Sequence, residues 1–312
     1  MIGIDVGGAN LKLVDGKRVT LRYCPIWEDA PLAEHLQAFR DAHPDPDAAV
    51  VMSGELADCF GSKMEGIGFI VDAVQKVYPG ALFYGTDAAF HTGAIPSLAA
   101  ANWLASADLL RTRYPGAVLL DVGSTTTDII PLAEFPRLLG LSDLGRLQRG
   151  YLLYTGLLRT GIETQLASVT LDSIETPTCA EHFAIAADAH LVLGHITPGM
   201  YSCDTPDRGD KNVGASLRRL ARVVCADPGE VGPGGALEIA RQFWEAQRDR
   251  IRTAADRVAR ECGAEWIMVA GIGSSLFARE LGGLDLALDM GSVSDALPAY
   301  AVKEVALRGA GS

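Results

Sequence analysis

The amino-acid sequence predicts an α/β protein built as two similar halves, residues 1–115 and 116–312, with a cleft between them. Two observations carry the prediction. The segment IGIDVGGANLKLV at the start returns as LLDVGSTTTDIIP, so an apolar strand, an Asp-Val-Gly turn and a second strand occur twice. Around both copies, short apolar runs alternate with longer stretches of helical period, as they do where helices cover a sheet.

Residues 2–6 form a short apolar strand, 10–14 alternate, Asp15-Gly16-Lys17 is a turn and 18–24 alternate again, which together give a three-strand antiparallel meander. A helix over 30–42, a strand over 48–53, a helix over 65–77, a strand over 81–85 and an Ala-rich helix over 97–107 complete the first half. After Tyr114-Pro115-Gly116, residues 117–122 are a strand, Gly123-Ser124 a turn and 125–130 a second strand. Helices are expected over 179–194, 214–226 and 235–262. A strand over 266–270, a glycine turn and a final helix near 293–307, packing back on the first half, close the chain. Pro and Gly mark 202–210 and 227–235 as loops, and no low-complexity linker separates the halves.

With 48 % apolar and 21 % charged residues, the 312 residues bury enough surface to fold as a globular protein rather than stay disordered. The 39 acidic residues outnumber the 27 basic ones, for a net charge of −12, which argues against nucleic acid as a partner. An anionic ligand must then be held locally, by backbone N–H groups, a cation or a few side chains. The opening MIGIDVGGAN is not a signal peptide, and no run reaches the roughly 20 apolar residues of a membrane span. Six scattered cysteines without a C-x-x-C pair suit reduced thiols, and the expected setting is cytoplasmic. Homo-oligomerisation is left open.

A strand that stops at Asp and turns through glycine presents free N–H groups to an anion. Asp5 and Asp121 stand at the two strand ends and are expected to face each other across the cleft, with Asp128 a further acid on the second hairpin. Carboxylates so placed need a cation, and Mg²⁺ held by Asp5, Asp121 or Asp128 plus phosphate oxygens meets that need. Gly7, Gly8, Asn10 and Lys12 of the first hairpin, and Gly123, Ser124, Thr125, Thr126 and Thr127 of the second, are the expected phosphate donors. A third turn follows an apolar strand at Gly271, Gly273 and Ser274.

This arrangement resembles the sugar kinase, heat-shock 70 and actin superfamily, where DVGG-like and DG(S/T)TTD-like hairpins hold phosphates and a later glycine-rich turn holds adenosine. The resemblance implies two ribonuclease H-like domains and ATP or ADP as a candidate cofactor. The chain is short for that superfamily, and its GIGSS turn is thinner than the usual double-glycine pattern. A second resemblance runs along nearly the whole chain: DVGGANLK, VMSGELADCF, GTDAAFHT, DVGSTTTDIIP, YTGLLRT, EHFAIAADAHLVLG and RLARVVCAD are similar to the hydantoinase A-like group of tetrahydromethanopterin-linked one-carbon metabolism. It implies a transferase of methanofuran biosynthesis that joins the phenol oxygen of γ-glutamyltyramine to an aminomethylfuran-methyl diphosphate and releases diphosphate. The excess of Arg over Lys and the many Ala residues suit a high-GC methylotroph.

For that chemistry the acids Asp5 and Asp121 assist the leaving group, and the base that receives the phenol proton is sought among Asp87, His91, Asp188 and His190. Glu55 and Asp58 follow a buried strand, where ligand crevices of α/β proteins lie, and are expected to bind substrate. Thr155 and Arg159 lie in the YTGLLRT motif, with Arg159 a clamp for diphosphate or the glutamyl carboxylate. Cys179, His182, His190 and Cys203 match no zinc spacing. Two other functions remain in view: an ATP-dependent small-molecule kinase or ATPase, and a non-catalytic nucleotide-sensing scaffold.

Overall fold

A short apolar run over residues 2–6 and two alternating runs after it suit a central strand flanked by strands of a meander. β1 (Ile2–Val6), β2 (Asn10–Asp15) and β3 (Arg18–Tyr23) accordingly form the expected antiparallel meander, with Ile4 opposite Leu13 and Asp5 opposite Lys12. The computed structural model of the protein describes residues 1–28 and 31–310. Ala30, the expected start of the first helix, lies outside the described residues; α1 runs over Leu32–Ala42. β4 (Ala48–Met52) pairs parallel with β1, which is why β1 is buried along its whole length. Ser62 accepts the Glu65 amide at the start of α2 (Lys63–Val77), two residues earlier than periodicity placed it. β5 (Leu82–Tyr84) and β6 (Phe90–His91) complete a six-stranded sheet of order β3-β2-β1-β4-β5-β6. The expected helix over 97–107 is instead a 3₁₀ turn at Pro96–Leu98 followed by α3 (Asn102–Leu110), because Ala100 takes a left-handed φ of 46° between them.

β7 (Ala117–Val122) and β8 (Thr127–Pro131) repeat the first hairpin, with Asp121 opposite Asp128 where the first copy has Asp5 opposite Lys12. Two short helices, α4 (Phe135–Leu138) and α5 (Asp143–Arg149), lead to β9 (Leu152–Leu153). A hairpin not foreseen in the sequence, β10 (Ser168–Leu171) and β11 (Ile174–Pro177), turns through Asp172 and Ser173 at φ values of 47° and 67°. That turn usually announces itself by glycine, and none is present here.

The expected helix over 179–194 shrinks to α6 (Ala186–Val192). The residues before it are engaged elsewhere: Cys179 N–H donates to Val223 O, and Ile185 bridges Gly161. After α7 (Val213–Arg222), the expected loop over 227–235 is instead the start of α8 (Pro228–Cys262). Asp227 caps it by accepting the Gly229 and Glu230 amides, and Gly232, at φ 65°, absorbs the kink. β12 (Trp266–Ala270), α9 (Ser274–Leu281), β13 (Leu284–Asp285), α10 (Leu286–Met290) and α11 (Leu297–Ala310) complete the chain. The second sheet has the order β13-β12-β7-β8-β9, so β12 stands beside β7 as β4 stands beside β1.

One buried cluster joins the two sheets, containing Val51 of β4, Leu104 of α3, Leu119 of β7, Met268 of β12 and Val302 of α11. α11 passes so close to β1 that a Cβ on Gly3 would lie 1.9 Å from Ala299 O. Gly3→Ala is therefore expected to cost on the order of 3 kcal/mol, because two backbones must separate. Gly68→Ala, in open space on α2, is expected to be neutral or to stabilise by about 0.5–1 kcal/mol. Urea denaturation of both variants checks the contrast.

Candidate active site

The strand order brings the two Asp-Val-Gly turns to one cleft. A cavity of about 560 Å³ opens there, lined by Asp5, Gly7, Gly8, Asn10, Lys12, Glu55, Asp58, Gly123, Ser124, Thr125, Thr126, Asp121, Asp128 and Arg159 among the expected site residues. Each turn is closed by one internal bond, Gly7 N–H to Asn10 O at 3.0 Å and Gly123 N–H to Thr126 O at 2.9 Å. The amides of Gly8, Ala9, Ser124 and Thr125 donate to no acceptor among the described residues.

Lys12 Nζ lies 3.5 Å from Asp5 Oδ2, while the buried Asp5 Oδ1 has no partner. Burial raises the Asp5 carboxyl above its usual range against the pull of Lys12. Burial also works against the charge on Lys12, but Asp5, Asp121 and Asp295 outweigh it and raise the ammonium. Asp121 is pushed up to about 7, chiefly by burial and further by Asp128, Asp5 and Asp295, with Lys12 opposing. Asp128, expected as a metal ligand, is instead ion-paired to the buried Arg146, which also holds Asp143 at 2.9 Å and stacks on Trp103. Among the described residues no group of three or more His, Cys, Asp or Glu is placed to hold a metal ion.

Several expected site residues lie behind the cleft wall rather than on it. Thr127 turns inward and donates to Thr155 O at 2.8 Å. Thr155 Oγ1 accepts from Gln247 Nε2 at 2.9 Å, and Gly156 is packed so tightly that a Cβ would lie 2.7 Å from Gly123 O. Gln247 donates with its amide nitrogen to Thr155 and Gly156, so its oxygen faces His190 Nε2, 3.0 Å away, and must accept from it. Burial pushes His190 down to about 3, and it stays neutral. Asp188 is fully buried against Arg219, Ser216 and Tyr201 and binds the Ile185 amide at the start of α6. Asp87 and His91 pair with each other at 3.0 Å on the β5–β6 turn, away from the cavity wall.

Gly271, Gly273 and Ser274 also lie off the wall. Gly271, at φ 82°, gives room to the Asp121 carboxylate, since a Cβ there would be 2.5 Å from Asp121 Oδ1. Its N–H donates to Ser294 O, and that of Gly273 to Val122 O. The cavity in turn holds residues that sequence reasoning missed, among them Trp27, Asn102, Asp143, Arg146 and Tyr154. Trp27, Asn102, Asp143 and Arg146 come from helix starts and short helices with no motif of their own, whereas Tyr154 opens the YTGLLRT motif, of which only Thr155 and Arg159 were singled out. Arg159 lies over the Trp27 ring at 5.0 Å on the cavity wall, and off the wall Tyr23 donates to Asp204 at 3.1 Å.

The chain belongs to the hydantoinase/oxoprolinase family, whose description matches residues 47–287. A relative from Methanocaldococcus jannaschii, named (4-{4-[2-(gamma-L-glutamylamino)ethyl]phenoxymethyl}furan-2-yl)methanamine synthase, is 32 % identical over 287 residues, covering 88 % of this chain and 87 % of its own. A relative of the same name from Methanococcus vannielii is 35 % identical over 159 residues, covering 51 % of this chain and 72 % of its own. Both are named as synthases, and the chain is accordingly an enzyme. Among solved structures, a ROK-family glucokinase from Streptomyces griseus with glucose and AMPPNP matches at 14 % identity and a TM-score of 0.39, covering 96 % of this chain and 97 % of its own. No described helix is long and apolar enough to cross a membrane.

The raised Asp121 carboxyl makes a pH prediction. Between the ordinary carboxylate value near 4 and about 7, the folded protein holds a proton that the unfolded chain releases, so stability falls as pH rises through that window. Asp121→Asn carries no such proton. Its stability relative to the parent should be lowest near pH 4 and rise by up to about 4 kcal/mol by pH 8, read by urea denaturation without divalent ions. A constant difference across that range would disprove the burial argument.

Proposed function

We propose that this enzyme joins the phenol oxygen of γ-glutamyltyramine to the methylene carbon of an aminomethylfuran-methyl diphosphate, a step of methanofuran biosynthesis. The observation that carries the reading is the convergence of two amide-rich turns and Lys12 on one cavity, which suits a diphosphate leaving group. The names of the two relatives support the substrate class.

In the reaction, the furan CH₂–O bond breaks and its electron pair leaves with diphosphate. The phenol oxygen forms the new C–O bond, and its proton passes to a carboxylate of the cavity wall. Of the acids on that wall we assign this role to Asp128, which burial raises against the pull of its ion-pair partner Arg146; Asp87, His91, Asp188 and His190 do not line the cavity. The furan ring delocalises the developing positive charge, so the enzyme's main task is electrostatic: the Gly8, Ala9, Ser124 and Thr125 amides and Lys12 face the charge that grows on the leaving oxygen.

The orphaned Asp5 Oδ1 beside Lys12 fits a cation bridged by ligand oxygens rather than an all-protein cage. Asp5 and Asp121 would hold Mg²⁺, which neutralises diphosphate charge when bound. Arg159, on the cavity wall over Trp27, is the residue we assign to the glutamyl carboxylate. The amides of Gly271, Gly273 and Ser274 are engaged inside the protein, which gives little purchase to a nucleoside.

Incubation with the two substrates and Mg²⁺, followed by mass spectrometry, should yield the ether without ATP. Asp5→Asn should lower kcat at least 100-fold with its melting temperature kept within a few degrees, on the scale of losing one transition-state donor. ADP formation from ATP with a screened acceptor, and no ether, would replace this reading with a kinase. ATP binding without turnover of either kind would make the protein a nucleotide-sensing scaffold.

A further inference from the structure

Glu55 follows β4 in the segment Ser53-Gly54-Glu55 and is held from both sides. A Cβ on Gly66 of α2 would lie 2.1 Å from Glu55 O, and one on Gly54 would lie 3.0 Å from Gly7. The side chain is 1 % exposed yet lines the cavity, and its Oε2 has no hydrogen-bond partner. A buried carboxylate oxygen without a donor is costly, so a positive donor from a ligand is what this position lacks.

The surroundings favour a cation over other donors. Asp58, Asp128 and Asp143 share this part of the wall, and Arg146 is already engaged by Asp128 and Asp143. Lys12 and the free amides lie around the two turns. The cavity therefore has an anion-binding part and an acidic part. Burial, with Asp143, raises the Glu55 carboxyl against the pull of the Glu55 and Ala100 amides and of Lys63, which does not line the cavity, and an ammonium beside it would restore the charge.

We propose that Glu55 is the seat of a primary-ammonium subsite, which takes the aminomethyl group of the furan substrate while its diphosphate lies on the two turns. This rests on the coupling reading above and deepens it. The orientation follows from charge alone. With the ammonium on Glu55, the substrate can enter in one sense only, and the reacting methylene is presented beside Asp5 and Lys12.

The test is direct binding. Furan-2-ylmethanamine and the isosteric furan-2-ylmethanol are titrated calorimetrically into the parent protein, Glu55→Gln and Glu55→Asp, with inorganic diphosphate as a control for the turns. The parent should prefer the amine at least 20-fold. Glu55→Gln should reduce the preference to within 3-fold at unchanged diphosphate affinity, which also shows that the variant is folded. Glu55→Asp, which keeps the charge but shortens the reach, should retain a weakened preference.

Equal binding of amine and alcohol by the parent, or undiminished preference in Glu55→Gln, would overturn the subsite. Loss of kcat with amine and alcohol diphosphates alike, at unchanged KM, would overturn it in favour of a base. Amine preference without ether formation would leave the subsite standing and remove the coupling reading. Ether formation without amine preference would do the reverse.

Discussion

Asp5 and Asp121 belong to different sheets, yet both carboxylates lie in the field of one ammonium, Lys12, at the floor of the cleft. Most of the surrounding architecture can be understood as what holds these three groups together out of water. α11 presses on Gly3 to fix β1, and Gly271 gives room to the Asp121 carboxylate. Each hairpin then needs only one internal bond to aim its remaining amides outward. Burial raises both acids while Lys12 pulls them down, so the charge of the floor is set by these three groups together.

Behind the second turn, polar groups serve rigidity rather than chemistry. Gln247 on α8 links the neutral His190 to Thr155 and Gly156, and Gly156 backs directly onto Gly123 and Thr125. Asp188 and Arg219 tie α6 to α7 through a fully buried ion pair. Of these, Asp188 and His190 are the ones whose sequence setting suggested a base. A buried acid or imidazole needs a partner, and from the chain alone a ligand and an internal arginine or glutamine satisfy that need equally well. The first turn has a different brace, since Ser53 and Gly54 donate to Val6 O and so tie it to the segment that carries Glu55.

The fold was legible to the extent that it rests on local pattern. Both hairpins, the alternating strands of the first meander and the strand at residues 266–270 follow from period and turn chemistry. The short α6, the helical start of α8 at Pro228 and the glycine-free hairpin at Asp172 and Ser173 were not legible. Each depends on a backbone bond or a capping group that competes with the local preference. The shared core under the cleft likewise comes from residues as distant as Val51 and Val302.

By itself the sequence determined the duplicated Asp-Val-Gly turns, the family, and the acids that end the first strand of each half. These are properties of contiguous residues, and short-range sterics and period decide them. Only the tertiary structure decided that Asp128 is paired with Arg146, that Thr155, His190 and Asp188 face away from the cavity, and that Glu55 lines it with its Oε2 unpartnered. Whether a buried charge meets a ligand or a neighbouring side chain depends on which distant segment is folded against it, and that is a property of packing rather than of sequence order.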